Sequence, residues 1–61
     1  MKITQFQKQV KPGGIVFNRV KDKEGSVLKI SKDRDKALVE YRNGTKEWNE
    51  YFILELPTPN P

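Results

Sequence analysis

Residues 37–56 read ALVEYRNGTKEWNEYFILEL, an alternating apolar and polar run that reaches Asn43-Gly44 and then resumes. Alternation with period two is the mark of a half-buried strand, and Asn-Gly supplies two residues that tolerate positive φ, as a type I′ hairpin turn requires. A two-residue turn there sets Tyr41 opposite Lys46, Glu40 opposite Glu47 and Val39 opposite Trp48. One face of the predicted hairpin then carries Ala37, Val39, Tyr41 and Trp48, and the other Leu38, Glu40, Arg42, Thr45 and Glu47. The first set is the natural core.

Working outward, Tyr51-Phe52-Ile53-Leu54-Glu55-Leu56 is too short for an ordinary helix and reads as a 3₁₀ turn feeding a closing strand. Pro57, Pro59 and Pro61 then stop the sheet and predict an extended tail over 57–61. Upstream, Lys32-Asp33-Arg34-Asp35-Lys36 is a polar connection of alternating sign. Before it, Ser26-Val27-Leu28-Lys29-Ile30 is a strand in which Val27 and Ile30 lie an odd number of residues apart, so a bulge or strong bend is needed to turn both inward. Ile15 to Asn18 is another strand, entered through Lys11-Pro12-Gly13-Gly14. Residues 1–11, with Ile3, Phe6 and Val10 as their only sizeable apolar groups, read as a covering strand or a frayed arm.

Five short strands with turn signals about every ten residues predict an all-β small barrel of antiparallel strands, with a 3₁₀ turn before the last. The 61 residues make one domain, and a chain of this size buries only about 60% of the surface its unfolded form exposes, so the core is small. Cysteine and histidine are both absent. Neither a disulfide nor a cysteine-histidine zinc site staples such a chain, and the usual general base is missing. No apolar run is long enough for a membrane span, and residues 1–10 lack the apolar stretch of a signal peptide. The expectation is a cytoplasmic protein with no cofactor, no metal and no membrane partner.

Catalysis is not expected. The acid pairs Glu47/Glu50 and Asp33/Asp35 fall on an open strand and in a turn, where nothing desolvates them enough to raise a carboxyl pKa. No serine has a histidine to activate it, and Gly13-Gly14 is not followed by the Lys-Ser/Thr of a phosphate loop.

Net charge is +4, unevenly spread: residues 1–36 hold ten Lys/Arg against four Asp/Glu, and residues 37–61 hold two against four. A basic half beside an acidic hairpin suggests a polyanionic partner, nucleic acid or an acidic protein surface. Lys21, Lys23, Lys29, Lys32, Arg34 and Lys36 fall on the second strand and the two loops that flank it. If those loops share a rim, they form a phosphate-binding patch. Phe17 either stacks on a base beside Arg19 and Lys21 or packs under the N-terminal segment. Tyr41, Trp48 and Tyr51 either fill the core or form a partial aromatic cage for a lysine-bearing peptide.

Gly25-x-Val27, Ala37-x-Val39-x-Tyr41, Asn43-Gly44, Trp48 and Leu54-Glu55-Leu56 together resemble the SH3-like small barrels, the group of Tudor, chromo-barrel and KOW-type modules, over residues 12–56. Val39-Glu40-Tyr41 with Trp48-Asn49-Glu50-Tyr51 is similar to the chromo-barrel and Tudor-knot signature, with Asn49 and Tyr51 where that signature has Asp and a second Trp. A further similarity, carried by Pro12-Gly13, Glu24-Gly25-x-Val27, Ala37-x-Val39, Asn43-Gly44 and Glu55-Leu56, is to the SH3-like S subunit of the photosynthetic NAD(P)H dehydrogenase-like complex, which implies docking of an acidic ferredoxin. The combined expectation is a non-enzymatic module that binds nucleic acid through Lys21, Lys23, Lys29, Lys32, Arg34 and Phe17. The alternative is protein docking.

Overall fold

A computed structural model describes residues 1–57 of the chain; the predicted tail beyond Pro57 lies outside the described residues. The elements are helix α1 (Ile3–Gln9), strands β1 (Ile15–Asn18), β2 (Lys23–Ile30), β3 (Lys36–Tyr41) and β4 (Lys46–Glu50), a 3₁₀ turn (Tyr51–Ile53) and strand β5 (Leu54–Glu55). The fold is all-β in its main layer, with five antiparallel strands and a 3₁₀ turn before the last, as the sequence predicts. The sheet runs β4-β3-β2-β1-β5 and does not close on itself.

The first eleven residues are neither a strand nor a frayed arm. Seven of them, Ile3–Gln9, form α1, because Ile3, Phe6 and Val10 recur at helical spacing and share one side. Seven residues are too few to hold a helix alone; packing holds this one. Phe6 is fully buried, Val10 nearly so, and both join Val16, Val27, Ala37, Val39, Tyr41 and Leu54 in the core. Burying Phe6 contributes about 2–3 kcal/mol. Pro12, three residues past the helix end, prevents its extension.

Strand β2 pairs with β3 as Val27↔Val39, then as Lys29↔Leu38 and Ile30↔Ala37, with a register shift between Val27 and Lys29. This is the bulge that the spacing of Val27 and Ile30 demands. It lets Val27 be buried and Ile30 pack against the core. Gly25 lies between Val16 and Tyr41 in the ladder. A Cβ there would stand 2.5 Å from Val39 Cγ1 and 2.9 Å from the Glu40 carbonyl oxygen. Only glycine lets β3 approach so closely.

The β3–β4 hairpin departs from its predicted register. Gly44 has φ +88°, while Asn43 stays at negative φ. The Gly44 N–H donates to the Tyr41 carbonyl (2.9 Å) and the Tyr41 N–H to the Thr45 carbonyl (2.8 Å). These are the bonds of a type I turn followed by a glycine bulge, the three-residue hairpin connection, in place of a two-residue type I′ turn. Pairing is therefore Glu40↔Lys46, Val39↔Glu47, Leu38↔Trp48 and Ala37↔Asn49. A slip of one residue moves every side chain of β4 to the other face. Trp48 leaves the expected core and Asn49 enters it.

Candidate functional site

The slip builds a polar node under the end of the sheet. Asn18, at the end of β1, and Asn49, in β4, are both buried. Asn18 Nδ2 donates to the Tyr41 hydroxyl (2.9 Å) and to Asn49 Oδ1 (3.2 Å), and Asn49 Nδ2 donates to the same hydroxyl (2.8 Å). The hydroxyl in turn donates to Glu47 Oε1 (2.9 Å). On its other side, Asn18 Oδ1 accepts from the N–H groups of Val20 and Lys21, so one side chain both shapes the β1–β2 loop and anchors the node. Every buried side-chain polar atom among the described residues has a partner.

Lys21 closes the node from solvent, with Nζ 2.7 Å from Glu47 Oε2 and 5.9 Å from the centre of the Tyr41 ring. That hydrogen bond holds the Lys21 pKa above its ordinary value. The same bond, together with the one from Tyr41, holds the Glu47 carboxyl below the usual range. Burial pushes the Tyr41 phenol up. Asp35 is likewise lowered, chiefly by the Ser31 hydroxyl and then by Lys36. These acids are shifted toward the ionised form, the opposite of what a general acid needs. Among the described residues no group of three or more acidic side chains could hold a metal ion.

The predicted basic residues do not share one rim. Strand β2 spans eight residues, about 23 Å at the usual strand rise, and the two loops lie at its opposite ends. At the first end, Lys21 is committed to Glu47 and Arg19 pairs with Glu55 at 3.7 Å. Lys23 lines a groove of about 600 Å³ with Ile15, Glu24, Gly25, Tyr41 and Arg42. Lys23 and Arg42 make no ion pair among the described residues. At the other end, Arg34 donates to the Gln7 carbonyl of α1 (3.0 Å) and accepts from Gln7 Nε2 through its own carbonyl (3.2 Å), with Lys32 exposed beside it in the turn. Lys29 lies on the open face of the sheet, paired with Leu38. Nor does the hairpin stay acidic in space: Arg42 joins Lys23 at the groove.

The aromatics are likewise separated. Tyr41 is buried in the node, Tyr51 packs its ring 6.3 Å from Phe6, and Trp48 stands on the opposite face, 50% exposed. These three do not form a cage. Phe17 sits on the same open face as Trp48, half-buried, with Glu24 and Glu55 as its pairing neighbours. It lies on the face opposite the core that receives α1, and Arg19 reaches its neighbour Glu55.

That open face is the surface sequence reasoning missed. Cross-strand pairing runs Trp48–Leu38–Lys29 in one row and Lys46–Glu40–Ser26–Ile15 in the next. Ile15 is 43% exposed, and Leu38 and Phe17 are half-buried. Charges on this face alternate in sign, with Lys36 opposite Glu50 and Glu40 opposite Lys46. No helix or loop among the described elements covers it. The signal that could have exposed it was the turn alone, since the glycine-bulge connection also accepts Asn-Gly. No family model, curated protein or solved structure matches the chain. Among the described residues no helix is long and apolar enough to cross a membrane.

Proposed function

We propose that this protein is a non-enzymatic docking module that binds a partner protein on the open face of its sheet. The observation that supports this most is the exposure of Trp48 beside Leu38, with Ile15 exposed in the next row of the same face, where charges alternate. An uncovered apolar centre with a mixed polar rim suits a protein surface, and tryptophan is among the commonest anchors of such contacts. A phosphate track needs cations of one sign in a row, and Lys23 and Lys32 stand at opposite ends of β2. The first partner to test is an acidic ferredoxin, because of the resemblance to the S subunit.

A second reading, nucleic-acid binding, draws support from the groove, where Lys23 and Arg42 have no carboxylate partner among the described residues. Amide chemical-shift titration separates the two. Ferredoxin is expected to move resonances of Leu38, Lys46 and Trp48, with Trp48 emission shifting to the blue as the indole is covered. Oligonucleotides are expected to move none. Shifts confined to residues 19–25 and 42–43 on adding single-stranded or duplex oligonucleotide, weakening steeply between two salt concentrations, would replace docking with the second reading.

A further inference from the structure

Strand β4 ends the sheet, paired with β3 on one side and with nothing on the other among the described residues. The phase of its ladder is fixed at both ends, by the Tyr41 N–H to Thr45 carbonyl bond (2.8 Å) and the Tyr51 N–H to Asp35 carbonyl bond (2.9 Å). Antiparallel ladders alternate hydrogen-bonded and non-bonded pairs. Counting inward, Glu47 and Asn49 bond to β3, while Lys46, Trp48 and Glu50 turn their N–H and C=O groups to the open side.

We propose that this edge pairs antiparallel with the β4 edge of a second copy of the chain, with Trp48 at the two-fold axis. In that register Lys46 faces Glu50 of the partner subunit, and Glu50 faces Lys46 of the partner subunit. Both pairs fall at hydrogen-bonded positions and are opposite in charge, an arrangement that stabilises cross-strand neighbours. On the inner side Glu47 meets Asn49 of the partner subunit, a carboxylate beside an amide. Isologous contacts of this kind close after two copies.

Charged side chains on an edge usually serve to prevent pairing. Here they disfavour the neighbouring registers and permit one. Centring on Lys46, Glu47 or Glu50 sets a charge against itself, and centring on Asn49 leaves Lys46 and Glu50 without each other. Only the Trp48 register satisfies both charges while matching the outward N–H and C=O groups. The inference is independent of the docking reading: it uses the edge, whereas docking uses the face, and pairing would set two such faces side by side.

Sedimentation equilibrium at low salt tests it, with amide dispersion recorded for each variant as a check of folding. The wild-type mass should rise with concentration from 7.1 kDa toward twice that value. K46E alone sets carboxylates against each other and E50K alone sets ammonium groups against each other, so each should self-associate about tenfold more weakly. An equimolar mixture of K46E and E50K restores both opposite-charge pairs and should associate as the wild type does. In the wild-type protein, mixed isotope labelling should show intermolecular contacts between the Cα protons of Glu47 and Asn49. A wild-type chain that stays monomeric at millimolar concentration overturns the proposal. So does a self-associating wild type whose variant mixture shows no recovery, or which lacks the Glu47–Asn49 contact.

Discussion

The two faces of this sheet are made by the same strands and end in opposite conditions. The inner face is closed: α1 covers its apolar half, and the Asn18–Tyr41–Asn49 node satisfies its polar end, with no buried side-chain polar atom left over among the described residues. The open face carries apolar side chains of comparable size, Trp48, Leu38, Ile15 and Phe17, and no helix or strand among the described residues is laid over them. Among the described residues α1 is the one α-helix, and it packs on the inner side. Under the docking function proposed above, stability and recognition fall on opposite faces, so substitutions on the two should separate them.

The sharpest break of the inner face is Phe6→Ala. Truncating a fully buried phenylalanine costs about 3–5 kcal/mol, comparable to the whole stability expected of so small a core, about 3–5 kcal/mol. Thermal melts should show most of the chain unfolded at 25 °C, with the helix lost along with the sheet because Phe6 is the one α1 residue fully buried in the core. Gly25→Ala should come next. The added methyl must displace Val39 and the Glu40 carbonyl, an overpacking of about 1–3 kcal/mol, read as a lower urea midpoint.

The node gives an effect of similar size and a different kind. Asn18→Ala removes the donor to Tyr41 and the acceptor of two loop N–H groups, so about 1–3 kcal/mol should be lost. Amide exchange should rise first at Val20 and Lys21. The node also titrates. The Glu47 pKa is lowered in the folded state, so its contribution is present above the ordinary carboxyl value of 4.5 and is lost as pH falls through the folded pKa. Tyr41 has a raised pKa, so its contribution is present below 10.0 and is lost as pH rises through the folded value. Melting temperature should fall at both extremes. Glu47→Gln should flatten the acid limb, and an unchanged acid limb in that variant would remove Glu47 from the account.

The sequence disclosed the parts of the fold that local rules decide. The conflict between Val27 and Ile30 required a bulge, and the structure has it between Val27 and Lys29. The apolar run after Glu50 was too short for a helix and is a 3₁₀ turn feeding β5. What stayed hidden depended on partners far away in sequence. Asn43-Gly44 fits two hairpin connections equally well by its chemistry. The choice between them turns on whether an inward Asn49 can be satisfied, which requires knowing that Asn18 and Tyr41 meet it. Helical spacing of Ile3, Phe6 and Val10 was visible, but seven residues form a helix only because the core receives Phe6. The basic residues counted as one cluster in the sequence because they flank one strand, and that strand's length is what separates them.

The smallest effect on stability belongs to Trp48→Ser, and it sharpens the comparison most. Trp48 is half exposed on an edge strand, and its loss leaves the node, the core and the β3–β4 ladder in place, so the melting curve should move by about 1 kcal/mol or less. Serine keeps the backbone N–H and C=O groups that the β4 edge presents. Docking on the open face should behave otherwise, since truncation of an anchoring aromatic costs about 2 kcal/mol or more of binding, roughly thirtyfold in Kd. Phe6→Ala would lose stability and binding together, because the unfolded chain has no face to present. A Trp48→Ser protein that keeps its melting temperature and loses its partner separates the two faces. A variant that melts as early as Asn18→Ala would show that the open face shares in holding the fold together, and that the division of labour between the faces is wrong.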